Sequence, residues 1–393
     1  MLTRRSMIAL AAVILLGAIG LLSVVKRGQG SEGRGTLLSS VRTEEPTNGG
    51  VQAYFGIAAL QGGYILCVFP TETGGESAIV TDGRVVGRQR LADYSDAGDL
   101  ASYSGGVALV LPDNSASRPR LKYLLWEADK WMGLRTIACD VPEVSAVVWP
   151  RLVTLPNGEV DVLCLLQRPG GLHGKGGLYG LRMLPQQGRW EYLRKGTRGI
   201  ALSRYALPDA RFAYWGTEGW WIGTLGKPPD FDVRGPASLE GEGAIADGRV
   251  LDACSDTSQT PWVLWSGRAS GRGSWAFLSN HRSEKWATVA LPVRMTSDLT
   301  TRLVCFRGDK VAVVGVDGDS GDLVVCEYSG APEGWVTARL LGARQLPRGA
   351  GIDQLDVAVD NDGTLHVAYK VEGPDWKKIE FWYKRFLPEQ ARP

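Results

Sequence analysis

One sequence unit recurs along this chain about every 50 residues, and this recurrence strongly limits how the chain can fold. The clearest copy is Ile352 to Lys370 (IDQLDVAVDNDGTLHVAYK), in which two stretches of alternating apolar residues flank an Asn-Asp-Gly turn. Such a pattern predicts two strands joined by a tight hairpin turn. The strand after the turn recurs with starts near Tyr64, Val107, Val160, Arg211, Trp262, Val311 and Leu365. A repeat of this length with about four strands per unit is typical of a β-propeller.

The repeats predict an all-β fold in which residues 36–393 form a ring of about seven four-stranded blades. Because the copy at about 200–235 is the weakest, a six-bladed ring is the alternative. The last unit has only three strands, whereas residues 36–43 (TLLSSVRT) form a strand outside any unit. Pairing of this strand beside residues 379–386 would complete the last blade and remove exposed sheet edges. We therefore expect the N-terminal strand to close the ring.

An apolar segment precedes the repeats. Two arginines are followed by 20 uncharged residues, Ser6 to Val25, and then by Lys26-Arg27. A helix of this length spans about 30 Å, the thickness of the hydrocarbon core of a bilayer. Residues 1–27 are therefore predicted to be a signal anchor that leaves the propeller membrane-anchored and extracytoplasmic, with residues 28–35 as a flexible linker. Ala18-Ile19-Gly20 offers a cleavage site, so a signal peptide and a secreted product are the alternative.

Six cysteines, at positions 67, 139, 164, 254, 305 and 326, lie in apolar, strand-like stretches. No Cys or His spacing suggests a metal site and no glycine-rich phosphate loop is present, so neither a metal nor a cofactor is predicted. The cysteines are predicted to be buried thiols, with one or two disulfides as the alternative. Cys305 and Cys326 fall on the first and third strands of one unit, about 9.6 Å apart, and should not form a bridge.

Two other groups of polar residues could carry chemistry. Asp317, Asp319 and Asp322 offer oxygen ligands for a hard cation, but an ordinary acidic hairpin loop is the favoured interpretation. His366 lies within a predicted strand and is expected to be packed rather than catalytic. No set of Ser, His and Asp can be assembled from sequence alone, so the catalytic residues, if any exist, are unknown.

The stretch Val357 to Tyr369 has the pattern apolar-Ala-x-Asp-x-Asp-Gly-x-apolar-His-Val-Ala-Tyr. This pattern resembles the repeats of the sialidase-like (BNR/Asp-box-type) β-propellers, and a looser copy runs from Pro150 to Cys164. The resemblance covers about residues 36–387 and implies the propeller fold. Enzymes of that family carry Ser-x-Asp-x-Gly-x-Thr-Trp boxes, an arginine triad and a Tyr–Glu nucleophile pair. This chain has no intact box and no Arg-Ile-Pro motif, so the resemblance implies the fold and not the activity.

Three loops predicted between second and third strands, 112–120, 168–176 and 267–273, are basic, and the last two are also glycine-rich. They contain the candidate ligand-binding residues Arg118, Arg120, Arg168, His173, Lys175, Arg268 and Arg272. Guanidinium groups suit carboxylate, sulfate or phosphate groups, so we predict an anion-binding face here. The alternative is a set of solvated loop cations without a specific ligand.

The favoured function is a membrane-tethered, extracytoplasmic binding module whose partner is an anionic glycan or a protein. A net charge of +2 is too small to suggest a nucleic-acid partner. The alternatives are a sialidase-like glycoside hydrolase or lyase, and an assembly scaffold without a ligand. A contiguous polar or basic cleft would favour the binding module, whereas an arginine cluster that faces a Tyr and a Glu would favour the enzyme.

Overall fold

A computed structural model describes the parts of the chain in which the propeller strands lie. These are residues 33–42, 54–91, 94, 98–103, 106–115, 118–139, 144–154, 160–167, 177–181, 199–201, 211–216, 219–224, 232–239, 243–269, 273–282, 284–295, 297–306, 310–330, 334–374 and 378–386. The predicted anchor, most of the linker and the basic loop 168–176 fall outside these ranges. Within them, no helix has the length and apolar character needed to cross a membrane.

The described residues form seven antiparallel sheets, called blades one to seven in chain order. Blade one contains β2 (Gly56–Ala59), β3 (Ile65–Thr71), β4 (Gly74–Thr81) and β5 (Arg84–Leu91). Blade two contains β6 (Asp99–Tyr103), β7 (Gly106–Asp113), β8 (Arg120–Glu127) and β9 (Lys130–Ala138). Blade three contains β10 (Ala146–Thr154), β11 (Val160–Gln167) and β12 (Gly177–Leu181). Blade four contains β13 (Gly199–Ala201), β14 (Arg211–Gly216), β15 (Gly219–Thr224) and β16 (Val233–Arg234). Blade five contains β17 (Ser238–Leu239), β18 (Gly243–Ser255), β19 (Pro261–Ala269), β20 (Gly273–Arg282) and β21 (Lys285–Ala290).

Blade six contains β22 (Thr301–Phe306), β23 (Lys310–Val316), β24 (Leu323–Tyr328) and β25 (Trp335–Leu341). Blade seven contains β26 (Gly351–Val359), β27 (Leu365–Glu372), β28 (Lys378–Phe386) and the N-terminal strand β1 (Thr36–Arg42). Short 3-10 turns occupy Gln61–Gly63 and Ala343–Gln345. The first strands of neighbouring blades contact one another, for example β2 with β6 and β22 with β26. The architecture is a β-propeller, as predicted, and seven sheets rather than six carry it.

The second strand of a blade is its most deeply buried strand. Almost every residue of β3, β7, β23 and β27 is buried, because each has strands on both sides and neighbouring blades over both faces. The outer strand β5 instead alternates between exposed and partly buried residues, since only one of its faces is covered. The continuous apolar runs in the sequence therefore mark second strands.

The N-terminal strand closes the ring, as predicted. β1 pairs antiparallel with β28, from Thr36 opposite Tyr383 to Arg42 opposite Lys378. The residues just before β1 are also held: Lys384 Nζ donates to the Gly33 carbonyl oxygen at 2.8 Å. These contacts place residues 33–42 within the folded domain.

Buried aspartates join the first strands of successive blades. A first strand has one edge without a strand neighbour, so its backbone groups need other partners. Side chains of the preceding blade supply them: Asp99 Oδ2 accepts from the Leu152 N–H (2.8 Å), Asp252 Oδ2 from Leu303 (2.8 Å) and Asp356 Oδ2 from Ile57 (2.9 Å). The three carboxylates are 1–6% exposed, so they act as internal links between blades.

Two of these links also involve arginine. Arg151, which precedes Leu152, lies 3.9 Å from Asp99, and Arg302, which precedes Leu303, lies 3.5 Å from Asp356. Arg302 is 8% exposed and also donates to the Thr301 carbonyl oxygen. The buried negative charge of the inner strands is thereby offset by buried or half-buried guanidinium groups.

The cysteines follow the prediction in part. Cys67, Cys139, Cys164 and Cys326 are buried free thiols. Cys254 and Cys305 instead form a disulfide between β18 and β22, with a Cα–Cα distance of 6.4 Å, so the buried-thiol prediction is wrong for this pair. The two side chains meet because the first strands of neighbouring blades run side by side. Cys305 and Cys326 are not bridged, as strand geometry requires.

Candidate functional site

A groove lies between blades one and two, at the end of the blades where first strands turn into second strands and third strands turn into fourth strands. Its volume is about 730 Å³. Blade one contributes Ala59, Leu60, Gln61, Tyr64, Ile79 and Val86; blade two contributes Ser102, Tyr103, Gly106, Trp126, Glu127, Ala128 and Asp129; and blade seven contributes Val359 and Asn361. We call this site the inter-blade groove. Its volume falls in the range of small-molecule and side-chain binding sites.

Tight turns place the polar residues of the groove. Glu127 pairs with Lys130, and the two residues between them, Ala128 (φ 48°) and Asp129 (φ 61°), both have positive φ. Two consecutive positive φ angles are the requirement of a type I′ hairpin turn. Gly106 on the same wall passes so close to the Trp126 carbonyl oxygen that a Cβ would lie 2.0 Å from it. The blade-two wall is therefore set by backbone conformation.

A tyrosine–glutamate pair lies in this wall. The Tyr103 hydroxyl donates to Glu127 Oε1 at 2.5 Å. Burial, together with the hydrogen bond and the negative charge of Glu127, raises the pKa of the Tyr103 phenol. The phenol therefore stays protonated at neutral pH and orients the carboxylate of Glu127.

Aromatic and aliphatic side chains form the rest of the surface. Tyr64 is 42% exposed and Val86 is 57% exposed, although both are large apolar side chains. Trp126 is nearly buried and packs edge-to-face on Trp131, with ring centroids 5.3 Å apart. Trp131 Nε1 donates to Ser77 Oγ across the blade boundary at 2.9 Å. The groove thus combines an exposed aromatic ring with a rigid, hydrogen-bonded back wall.

The charge of the groove is negative. Its lining residues include two carboxylates, Glu127 and Asp129, and the described lining contains no Lys, Arg or His. The remaining polar groups are the side chains of Gln61, Ser102 and Asn361. Ser102 Oγ donates to the Ala59 carbonyl oxygen at 2.9 Å and so joins the two walls. An unpaired anionic surface of this kind attracts cations and repels anions.

The residues predicted to bind anions lie elsewhere. Arg118 and Arg120 are exposed at the start of β8, and Arg268 lies near the end of β19 with a 73% exposed side chain, 3.6 Å from Asp247. These positions are at the opposite end of the blades from the groove, in blades two and five, and no contact joins the described members of the set. Arg168, His173, Lys175 and Arg272 fall outside the described residues. Anion binding by these loops stays a prediction.

None of the residues that line the groove was predicted from the sequence to belong to a site. The signal was present in the sequence as Tyr64 after one turn and Trp126-Glu127-Ala128-Asp129 at another. These residues become a site only because the two blades stand side by side, which no local pattern reveals.

His366 is packed, as expected. Its Nε2 lies 2.9 Å from Asp360 Oδ2 and its Nδ1 lies 2.6 Å from the Tyr383 hydroxyl. The Thr364 N–H also donates to Asp360 Oδ1, at 2.8 Å. Blade five repeats the arrangement with Asp256, whose carboxylate accepts from the Thr260 N–H and from Trp262 Nε1. In both blades the aspartate accepts from the N–H of a threonine four residues on, so the arrangement supports a hairpin.

The acidic loop of blade six is a hairpin loop whose carboxylates have protein partners. Ser320 Oγ donates to Asp317 Oδ2, Arg294 lies 3.5 Å from Asp319, and Arg339 lies 3.6 Å from Asp322. Among the described residues, no three His, Cys, Asp or Glu side chains are grouped closely enough to hold a metal ion.

No protein-family profile and no curated protein sequence matches the chain. Similar solved structures include BBS1N in complex with ARL6DN (10% identity, TM-score 0.49, 92% of this chain and 99% of that chain) and an ulvan lyase (10%, 0.48, 92% and 98%). Another is the α-L-arabinofuranosidase of Fusarium graminearum (10%, 0.47, 91% and 99%). Glycoside hydrolases and lyases are thus among the solved structures that the chain resembles, and none of their activities is transferred to this chain.

Proposed function

We propose that this protein is a membrane-anchored, extracytoplasmic β-propeller that binds a partner through the inter-blade groove. The observation that carries the proposal is the groove itself, a contiguous polar and aromatic cleft on a closed ring. The apolar segment Ser6 to Val25 supports the anchor, and the Cys254–Cys305 disulfide supports an oxidising compartment. Kinship with the sialidase-like propellers rests on the repeat at Val357 to Tyr369 and is part of the proposal.

The chemistry of the groove favours binding over catalysis. A tyrosine nucleophile requires a lowered pKa, whereas burial and Glu127 raise the pKa of Tyr103. The described lining also offers no arginine that could face this pair. A scaffold without a ligand, in turn, would not need a contiguous polar and aromatic cleft, and the groove is such a cleft. We therefore favour recognition without turnover.

The groove is suited to recognition because its walls are preformed. The Tyr103–Glu127 bond fixes one carboxylate, and the Ser102–Ala59 and Trp131–Ser77 bonds hold blade two against blade one. A site that is already ordered loses little conformational entropy when a ligand binds. Binding through this groove should thus need only small side-chain movements.

Blocking the groove with a bulky side chain tests the proposal. Val86→Trp adds an indole to the groove wall at an exposed position, and Val336→Trp is the matched control, because Val336 is a 50% exposed valine on the outer strand of blade six. Both variants of the full chain would be crosslinked in native membranes, and the retained proteins and glycans would be quantified. We expect Val86→Trp to lower partner retention by about tenfold, with Val336→Trp unchanged. Equal retention by both variants would exclude the groove as the binding site.

A further inference from the structure

We propose that the inter-blade groove binds a cationic side chain, Lys or Arg, presented by a peptide segment of a partner protein. This inference rests on the proposed function and specifies the ligand of the same site. Two features of the groove lead to it: carboxylates without compensating cations, and aromatic rings beside them.

The first feature is uncompensated charge. Glu127 and Asp129 line the groove, and within the described part of the chain neither has an ion-pair partner. Other carboxylates near the surface do have one, for example Asp319 with Arg294 and Asp322 with Arg339. A ligand that enters the groove displaces water from these carboxylates. A cation replaces the lost hydration, whereas a neutral ligand leaves part of the negative charge uncompensated and an anion adds repulsion.

The second feature is the aromatic surface. Tyr64 exposes its ring at the groove, and Tyr103 and Trp126 lie on the opposite wall. Ammonium and guanidinium groups are attracted to the faces of such rings. The chain already uses this contact elsewhere, with Arg249 placed 5.4 Å from the Trp215 ring and Arg34 placed 5.5 Å from Trp382. A groove that holds both carboxylates and the exposed ring of Tyr64 has the combination of groups that recognises an organic cation.

The orientation of Glu127 is fixed by its neighbours. The Tyr103 hydroxyl holds Oε1 in place, and the turn that contains Asp129 follows directly. The carboxylates therefore come from two residues of one tight turn, whose backbone fixes their spacing. Guanidinium and ammonium groups each donate several hydrogen bonds and can contact more than one carboxylate. A volume of about 730 Å³ leaves room for the residues that flank such a side chain in a peptide.

Binding of short peptides to the full chain in detergent tests the inference. The probes are fluorescently labelled tetra-arginine, tetra-lysine and tetra-glutamate peptides and a neutral trisaccharide, each measured by anisotropy at low and moderate salt. We expect the two cationic peptides to bind, with weaker binding at moderate salt, and the trisaccharide not to bind. Any binding of tetra-glutamate, which the basic loops at the opposite end of the blades could attract, should be unchanged in Val86→Trp. Binding should fall about fivefold to tenfold in Glu127→Gln and in Asp129→Asn, and further in the double variant.

The control variant is Glu284→Gln. Glu284 lies in the third-to-fourth-strand turn of blade five with φ 63°, the same position and conformation as Asp129 in blade two. It should leave cationic-peptide binding within twofold of the unchanged protein. The inference would be overturned if Glu284→Gln weakened cationic-peptide binding as much as the groove variants do. It would also be overturned if Glu127→Gln and Asp129→Asn left that binding unchanged, since binding would then reflect general surface charge.

The outcome for the trisaccharide separates this inference from the proposed function. If the trisaccharide binds in place of the cationic peptides and Val86→Trp abolishes that binding, the groove is the binding site but its ligand is a neutral sugar, and the inference is wrong. If no probe binds and Val86→Trp also leaves native partners unchanged, both the inference and the proposed function are wrong.

Discussion

Asp252 illustrates how single buried residues hold the ring together. Its Oδ1 accepts from the N–H of Ala253 and its Oδ2 from the N–H of Leu303 in the next blade. Asp356 makes the same pair of contacts with Val357 and Ile57. Each carboxylate therefore satisfies two backbone donors at once, one in its own strand and one across a blade boundary. Loss of such a residue should cost far more than loss of a surface acid.

We predict that Asp252→Ala lowers the free energy of unfolding by about 2–4 kcal/mol, because buried N–H groups lose their acceptor. Asp252→Asn keeps one side-chain oxygen and should cost less. Urea unfolding followed by tryptophan fluorescence measures both values. Asp319→Ala in the exposed loop of blade six is the control, and a loss of similar size there would contradict the role assigned to Asp252.

His366 should make the domain sensitive to acid. Burial lowers its pKa in the folded state, while Asp360 acts in the opposite direction. The unfolded chain, with an ordinary histidine pKa of about 6.5, therefore binds a proton that the folded chain takes up only at lower pH. Stability from this residue is complete above about pH 6.5 and is lost as the pH falls below that value.

We predict that the urea midpoint falls between pH 7.5 and pH 5.5 and that His366→Gln reduces this fall. His281→Gln is the comparison, because burial also lowers the pKa of His281, which is less buried, so its effect should have the same sign and a smaller size. An unchanged pH dependence in His366→Gln would show that other groups control the acid response.

At the scale of single elements, the turns are the most informative. Ala128 has φ 48°, a conformation that costs a residue with a Cβ about 1 kcal/mol or more. The hairpin retains it at the edge of the groove, where the following residue is Asp129. Backbone strain of this kind is often kept at binding sites.

We predict that Ala128→Gly raises the free energy of unfolding by up to about 1 kcal/mol, because glycine adopts positive φ without a steric cost. Ala244→Gly, at an exposed position of β18 without positive φ, should instead destabilise by about 0.5–1 kcal/mol. Thermal unfolding of the two variants distinguishes them. Destabilisation by both would mean that Ala128 is not strained.

The elements also show how far sequence reasoning reaches. The hairpin from Ile352 to Lys370 could be predicted because alternation and an Asn-Asp-Gly turn are local properties. Ring closure by residues 36–43 could be predicted because an incomplete last unit leaves a sheet edge unpaired. The disulfide between Cys254 and Cys305, and the groove lined by both Tyr64 and Trp126, could not be predicted, since both depend on side chains in neighbouring blades. The basic loops could be recognised because charged residues are read directly from the sequence, whereas a groove forms only where two blades pack together.

For the molecule as a whole, the contacts between neighbouring blades carry stability. Blades five and six share the Asp252–Leu303 hydrogen bond and the Cys254–Cys305 disulfide, which connects residues 51 positions apart. A crosslink that closes a loop of this size limits the unfolded chain and stabilises a protein by about 4 kcal/mol in the chain-entropy treatment. The pair therefore joins two blades at the centre of the ring.

We predict that replacement of both Cys254 and Cys305 by alanine lowers the free energy of unfolding by about 3–5 kcal/mol. A reductant should lower the stability of the unchanged protein and leave that of the double variant as it is. Guanidinium unfolding with and without reductant measures both effects. A reductant effect that persists in the double variant would assign the sensitivity to other cysteines.

The pairing of β1 with β28 has a consequence for how the domain is made. The first strand of the domain is completed by its last strand, so the ring stays open until the last strand of the domain has been synthesised. The same pairing brings the two ends of the domain side by side, with Thr36 opposite Tyr383. A short peptide linking Phe386 to Gly33, with new ends cut in an exposed turn, would leave every sheet intact. Blade seven would then be a continuous unit like the other six, and the domain could close without waiting for its first strand.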